Sequence, residues 1–274
     1  MAVINAADVA KLRRVTLAGM MDCKKALEEA DGNFDKAIEI IRKKGQAIAN
    51  KRADRDATEG VVIAKTNGKL GVLIVLNSET DFVAKNADFI GLADKISDLA
   101  LKNNPANLDA LLSLQLEGTK VADKVVEFIG IIGEKLELSY YEKIEAEHVQ
   151  AYIHPGSRLA TIVGFTKAGV DAQVYKDVAM QVAAMNPVAV DKDSVPENII
   201  AQEIEIGKEQ ARRDGKPENM LEKIAQGKLA KFFKESTLLN QEFVKDNKIT
   251  IREYLQSINK ELTVTDFKRF TLNL

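Results

Sequence analysis

Apolar residues in the first fifty positions recur at helical spacing. Val9, Leu12 and Val15 outline one helix; Cys23, Ala26, Leu27 and Ala30 outline a second. Phe34, Ala37, Ile38 and Ile41 form a third stripe at i, i+3, i+4, i+7. Thr16 to Asp22 separates the first two helices and offers Asp22 as N-cap of the second. Asp31-Gly32-Asn33 is a turn, and Gly45 is expected to close the third helix. Residues 46–58 are polar, Ala-rich and alternating in charge, which predicts a linker with residual helicity.

Beyond the linker the pattern changes from helical spacing to short β-rich runs, and it does so twice. Val61 to Lys65 leads through Asn67-Gly68 into Leu70 to Leu76, a strong hairpin signal. Val149 to Ile153 leads through His154-Pro155-Gly156 into Leu159 to Phe165, and aligning Lys69-Leu70 with Arg158-Leu159 matches the two hairpins. Each is followed by a helix running to Asn-Pro: Ala93 to Ala100 before Asn104-Pro105, and Tyr175 to Val182 before Asn186-Pro187. Each copy then closes with a helix and a strand. In the first, Val121, Val125, Phe128 and Ile132 precede Leu136 to Ile144; in the second, Ile251, Tyr254, Leu255 and Ile258 precede Leu262 to Phe270.

The expected fold class is therefore α+β: an N-terminal three-helix module, a two-lobed core of repeated small antiparallel sheets with helices, and a projecting helical hairpin. The expected domains are 1–45 for the module, 46–58 for the linker, 59–146 for core lobe 1, 147–186 with 246–274 for core lobe 2, and 187–245 for the hairpin insert. In that insert Ile199 to Arg212 and Met220 to Phe233 are helical in pattern, with Asp214-Gly215-Lys216-Pro217 turning between them. The first copy has an insert of its own, the stretch Ser78 to Asn86 between hairpin and helix.

Composition narrows the function. Lys and Arg total 39 against 41 for Asp and Glu, a balance that argues against a dedicated nucleic-acid binder, although Arg42-Lys43-Lys44 and Lys51-Arg52 are locally basic. A single cysteine, Cys23, excludes an internal disulfide and a Cys-based zinc site. No apolar run approaches the ~18–20 residues of a membrane span. The opening residues lack the layout of a signal or transit peptide, so a cytoplasmic protein with no membrane partner is expected.

Catalytic chemistry has little material. There is no Walker-type loop and no dinucleotide fingerprint; Gly130-Ile131-Ile132-Gly133 lacks the Lys-Ser or Lys-Thr that a phosphate loop needs. Only His148 and His154 are available for metal or triad chemistry, and no metal, cofactor or enzymatic activity is expected. Three features suit binding instead. In Thr80-Asp81-Phe82-Val83, Phe82 either folds back on its own lobe, with Asp81 capping the next helix, or is a wedge for a partner's pocket. Leu17-Ala18-Gly19-Met20-Met21 either packs in the bundle core or offers adaptable thioethers to a partner. The hairpin's Ile199, Ile200, Ile204, Leu221, Ile224 and Leu229 are buried between its two arms or against another chain. A lone two-helix arm buries little, which favours pairing: a homodimer or a 2:2 complex through core or hairpin.

Met20-Met21-Asp22-Cys23-Lys24-Lys25-Ala26-Leu27 and Thr80-Asp81-Phe82-Val83-Ala84-Lys85 together resemble the bacterial elongation factor Ts family, and the order of parts agrees over essentially the whole chain. The resemblance implies a guanine-nucleotide exchange factor that binds elongation factor Tu, releases its GDP and lets GTP enter, without binding nucleotide itself. It implies that Thr80, Asp81, Phe82 and Val83 press toward the magnesium and phosphate region of that GTPase, approached also by Ile132, Gly133 and Glu134. His154 matches a family histidine beside the second hairpin turn, and Met20, Met21, Lys24 and Lys25 would dock the N-terminal module. Lys135 stands where the family has Asn, Pro155 precedes the turn glycine, and Glu242 stands where Pro is expected. Two other readings remain. One is a non-catalytic adaptor, since the module is similar in layout to ubiquitin-associated domains; the other is an RNA-binding factor, disfavoured by the charge balance and the lack of an aromatic-basic platform.

Overall fold

Three helices open the chain: α1 (Ala6–Thr16), α2 (Met20–Glu29) and α3 (Phe34–Lys51). They bury Val9, Leu12, Ala18, Cys23, Ala26, Leu27, Ala30 and Ala37 among themselves. The computed structural model describes residues 4–272; the first three residues, part of the stretch read for a targeting signal, lie outside the described residues.

Two of the expected helix ends move. Helix α2 starts at Met20 with Gly19 at its N-cap, so Asp22 sits in the first turn and favours the positive end of the helix dipole rather than capping it. Helix α3 does not stop at Gly45. It runs on through Lys51 to a C-cap at Arg52, and Gly45 is buried in its interior. The reason lies in a neighbouring helix: a Cβ on Gly45 would stand 3.5 Å from the Cα of Gly130. Glycine here permits close approach of two backbones rather than a turn.

The core follows in order as β1 (Glu59–Thr66), β2 (Leu70–Ser78), α4 (Asp81–Ala84), α5 (Ala87–Asn103), α6 (Leu108–Ser113), β3 (Gln115–Leu116), β4 (Thr119–Lys120), α7 (Val121–Ile132) and β5 (Leu136–Glu145). The second copy runs β6 (His148–Ile153), β7 (Leu159–Phe165), α8 (Ala172–Met185), α9 (Glu197–Arg213), α10 (Leu221–Ser236), β8 (Glu242–Phe243), β9 (Asp246–Thr250), α11 (Ile251–Ile258) and β10 (Val264–Thr271). Two three-stranded sheets have the orders β1-β2-β5 and β10-β7-β6. In both, the second hairpin strand is central and the closing strand lies beside it. The repeat extends to the helix ends: α5 and α8 each stop at an asparagine in the left-handed region, Asn104 (φ 48°) and Asn186 (φ 43°), ahead of a proline. The fold is α+β, as the pattern predicts.

The chain divides into two compact units. The first comprises the chain up to Ile63, Leu73–Glu142, and the residues from Thr271. Within it α3 crosses α7 at Gly45 and Gly130, where a Cβ on Gly130 would come within 2.6 Å of the Gly45 Cα. Arg42 adds an ion pair to Glu127 at 2.8 Å. The run Gly130 to Gly133 is thus a packed helix with a left-handed C-cap at Gly133 (φ 82°), not a phosphate loop.

The second unit comprises Ala64–Val72 and Lys143–Phe270. The β1–β2 tip is stitched to its neighbours by Val149 N donating to Gly68 O (2.7 Å) and Thr66 Oγ1 donating to Val149 O (3.0 Å). Its apolar core includes Val163, Phe165, Tyr175, Val178, Leu238, Phe243, Ile251 and Leu255. One face of α8 is polar yet buried, and each polar group is satisfied. Gln181 accepts from Val244 N (3.0 Å) and donates to Gln241 Oε1 (3.2 Å), while Asp177 accepts from Lys245 Nζ (2.7 Å) and the Tyr254 hydroxyl (3.2 Å). Burial, and then the charge of Asp177, pushes the Tyr254 phenol up to about 12. These bonds hold the segment at the base of the α9–α10 hairpin. The two arms come closest where Gly207 on α9 meets Ala225 on α10, and they bury Ala211 on α9 and Leu221 and Leu229 on α10 as well. Ile199, Ile200, Ile204 and Ile224 stay half-buried.

Among the described residues, His148 is the exception to buried polar satisfaction. Its ring stacks on Tyr175 with centroids 3.8 Å apart, and its buried Nε2 has no hydrogen-bond partner. Burial holds the imidazole below its ordinary value of 6.5, partly offset by Gln150.

Two predictions follow from packing and burial. Gly130→Ala should destabilise the protein by about 1–3 kcal/mol through overpacking, whereas Gly227→Ala on α10, which meets nothing within 4 Å, should stabilise it by about 0.5–1 kcal/mol; melting temperatures of the pair check both signs. His148 contributes stability in its neutral form, so that contribution is complete above the ordinary histidine value and is lost as pH falls through the lowered folded value. The melting temperature of the natural protein should therefore fall relative to His148→Phe between about pH 7.5 and about pH 5.5. A difference that does not change with pH would show that the imidazole does not titrate against the fold.

Candidate partner-binding site

The stretch inserted after the first hairpin forms a fixed point, not a loose loop. β2 ends at Ser78, and Thr80 in extended conformation caps the one-turn helix α4, its Oγ1 accepting from Val83 N at 3.4 Å. Asn86 then caps α5, accepting from Asp88 N (2.8 Å) and Phe89 N (3.3 Å). Between these caps α4 turns Ala84 inward, where it is buried. Phe82, two residues earlier and about 200° around the helix, points outward and is 82% exposed. The reading in which the ring folds back on its own lobe is overturned by this geometry. Nor does Asp81 cap the next helix. Asn86 does, and Asp81 pairs with Lys85 at 2.6 Å, which holds its carboxyl below the usual range.

Helix α7 delivers the support. Gly133 breaks the helix after Ile132, and Glu134 then meets Thr80: the Thr80 N–H donates to one carboxylate oxygen at 3.0 Å and its hydroxyl to the other at 2.8 Å. The structure therefore brings Thr80, Asp81, Phe82 and Val83 together with Ile132, Gly133 and Glu134. Lys135 donates through its backbone N–H to Glu79 (2.6 Å) and through Nζ to the carbonyls of Ala53 and Arg55 (3.0 Å each). Burial would raise the Glu79 carboxyl, but the Lys135 N–H and the Arg52 guanidinium outweigh it and hold the group below the usual range.

On the N-terminal bundle, Met20 and Met21 are 56% and 63% exposed. They are not bundle core, because Ala18, Cys23, Ala26 and Leu27 fill those positions. Val15 and Leu17 are exposed as well. Lys24 pairs with Glu28 at 3.8 Å, and Lys25 is exposed. His154 belongs to the second unit. Its Nδ1 lies 3.0 Å from the Tyr152 hydroxyl, and its backbone N–H donates to Leu159 O across the turn in which Gly156 and Ser157 take positive φ. Arg52 and Glu79 are the functional candidates that sequence reasoning missed. Their only signals were a basic pair and an acid at the head of the insert, far apart in the chain.

Among the described residues no cluster of His, Cys, Asp or Glu could hold a metal ion, and no helix is long and apolar enough to cross a membrane. An aromatic ring and two thioethers held out in water on ordered supports are what a protein that grips another protein displays. A family model described as Elongation factor TS matches residues 79–273. The chain is 53% identical over 267 residues to the elongation factor Ts of Porphyromonas gingivalis, covering 97% of each chain. It is 50% identical over 275 residues to that of Christiangramia forsetii, covering 99% of this chain and 100% of the relative. The chain belongs to the elongation factor Ts family of translation elongation factors.

Removing the Glu134 carboxylate would leave two donors of Thr80 unpaired. Glu134→Ala should lower local stability by about 1–3 kcal/mol, read as faster amide exchange at residues 80–85 with exchange in α10 unchanged. Equal protection in both proteins would show that α4 is ordered without the clamp.

Proposed function

We propose that this chain is the guanine-nucleotide exchange factor of elongation factor Tu. It binds that GTPase in the cytoplasm, weakens its hold on GDP and lets GTP enter, making and breaking no covalent bond and binding no nucleotide itself. The observation that carries the reading is Phe82, exposed on a helix that is fixed from behind by Glu134. An adaptor needs no such projection.

The thermodynamics set what the interface must supply. A protein that favours the empty GTPase weakens GDP binding by the same factor, because coupling is reciprocal. A ten-thousand-fold loosening needs about 5.5 kcal/mol of differential binding, and burying one Phe supplies roughly 1.5–3 kcal/mol. Phe82, with Asp81 and Val83 beside it, converts binding energy gathered elsewhere into distortion of the magnesium and phosphate loops. The N-terminal module over 1–45, through Met20, Met21, Lys24 and Lys25, and the second lobe, through His154, supply the remainder. The hairpin over 187–245 is available for pairing with a second copy.

Release of a fluorescent GDP analogue from elongation factor Tu tests the reading. The natural protein should accelerate release at sub-stoichiometric amounts. Phe82→Ala should lower the saturating rate about 10- to 150-fold, the equivalent of one lost Phe contact. An unchanged rate for Phe82→Ala would remove the wedge role. No acceleration by the natural protein, despite binding, would leave an adaptor.

A further inference from the structure

Helix α3 starts in the N-terminal bundle and ends beside the wedge. Its C-cap residue, Arg52, donates from one guanidinium nitrogen to both oxygens of Glu79, at 2.9 Å each. Both side chains are partly buried, that of Glu79 the more deeply, so salt screens the pair less than an exposed one. Glu79 accepts in addition from the Lys135 N–H, and the Lys135 ammonium returns to the carbonyls just past the end of α3. One residue further along, Thr80 is held by Glu134. Consecutive residues 79 and 80 are thus each clamped by one of the consecutive residues 134 and 135, and Arg52 closes the ring from α3.

We propose that Arg52 and Glu79 are positioning residues for nucleotide release. They fix the peptide that presents Phe82, and they make its placement depend on α3, the rod that carries the N-terminal bundle. The crossing at Gly45 and Gly130 is what lets that dependence arise: with no side chain between the helices, α3 cannot slide on α7 without backbone collision. A partner that seizes the bundle therefore loads the wedge through α3. Arg suits this place better than Lys, because a planar guanidinium loses less freedom for each hydrogen bond it makes.

The proposal rests on the exchange reading, and the test separates the two. Full-length natural protein, Arg52→Met, Arg52→Lys, Phe82→Ala and Arg52→Met/Phe82→Ala are titrated against elongation factor Tu carrying a fluorescent GDP analogue. The saturating release rate and the half-saturating concentration are read separately. Arg52→Met should lower the saturating rate about 3- to 10-fold while the half-saturating concentration changes by less than about twofold. Arg52→Lys should recover most of the rate. In the Phe82→Ala background Arg52→Met should have no further effect, because a positioning residue has nothing left to position. A full saturating rate for Arg52→Met, or an effect that multiplies with that of Phe82→Ala, overturns the positioning role while exchange stands. A natural protein that does not accelerate release overturns both.

Discussion

The approach of two glycines, Gly45 on α3 and Gly130 on α7, is the constraint on which the first unit is built. No side chain fits between these backbones, so the two helices have one register against each other. Everything downstream inherits it. Past the crossing, α7 ends at Gly133 and presents Glu134; past the crossing on the other side, α3 ends at Arg52 and presents its guanidinium. Both ends arrive at residues 79 and 80. A close helix crossing brings two distant parts of the chain to one point and keeps them there, because packed helices resist sliding.

The second unit solves a different problem by different means. Its long insert departs from the core and must return in a fixed direction. Here the device is polar: Asp177 and Gln181, one turn apart on α8, grip the returning segment through Lys245, Val244 and Gln241. Fully paired buried polar groups specify geometry more sharply than apolar contacts do, since a misplaced partner leaves a costly unpaired group.

Most of the architecture was legible in the sequence, because helical and strand periods, Asn-Gly and Asn-Pro signals are local. The duplicated hairpin–helix–helix–strand order followed from them, as did the hairpin turn at Asp214 to Pro217. What escaped was set by tertiary contact. Gly45 has the local signature of a helix stop, and only the presence of Gly130 shows that it is a packing glycine. The exposure of Phe82 was undecidable because α4 is too short to show a period. The ring of Arg52, Glu79, Lys135, Glu134 and Thr80 joins residues that no spacing rule relates. The motif residues themselves were found by resemblance, but the side chains that hold them were not.

The one-turn helix that carries Phe82 has a further meaning. A single turn cannot sustain itself in water, since nucleation costs more than one turn returns. Its order is borrowed from groups behind it: the Glu134 carboxylate that holds Thr80, and the Arg52 guanidinium and Lys135 N–H that hold Glu79. A short peptide copied from this stretch would carry the right letters without the shape, and any molecule meant to imitate the tip would have to reproduce the anchorage as well as the ring.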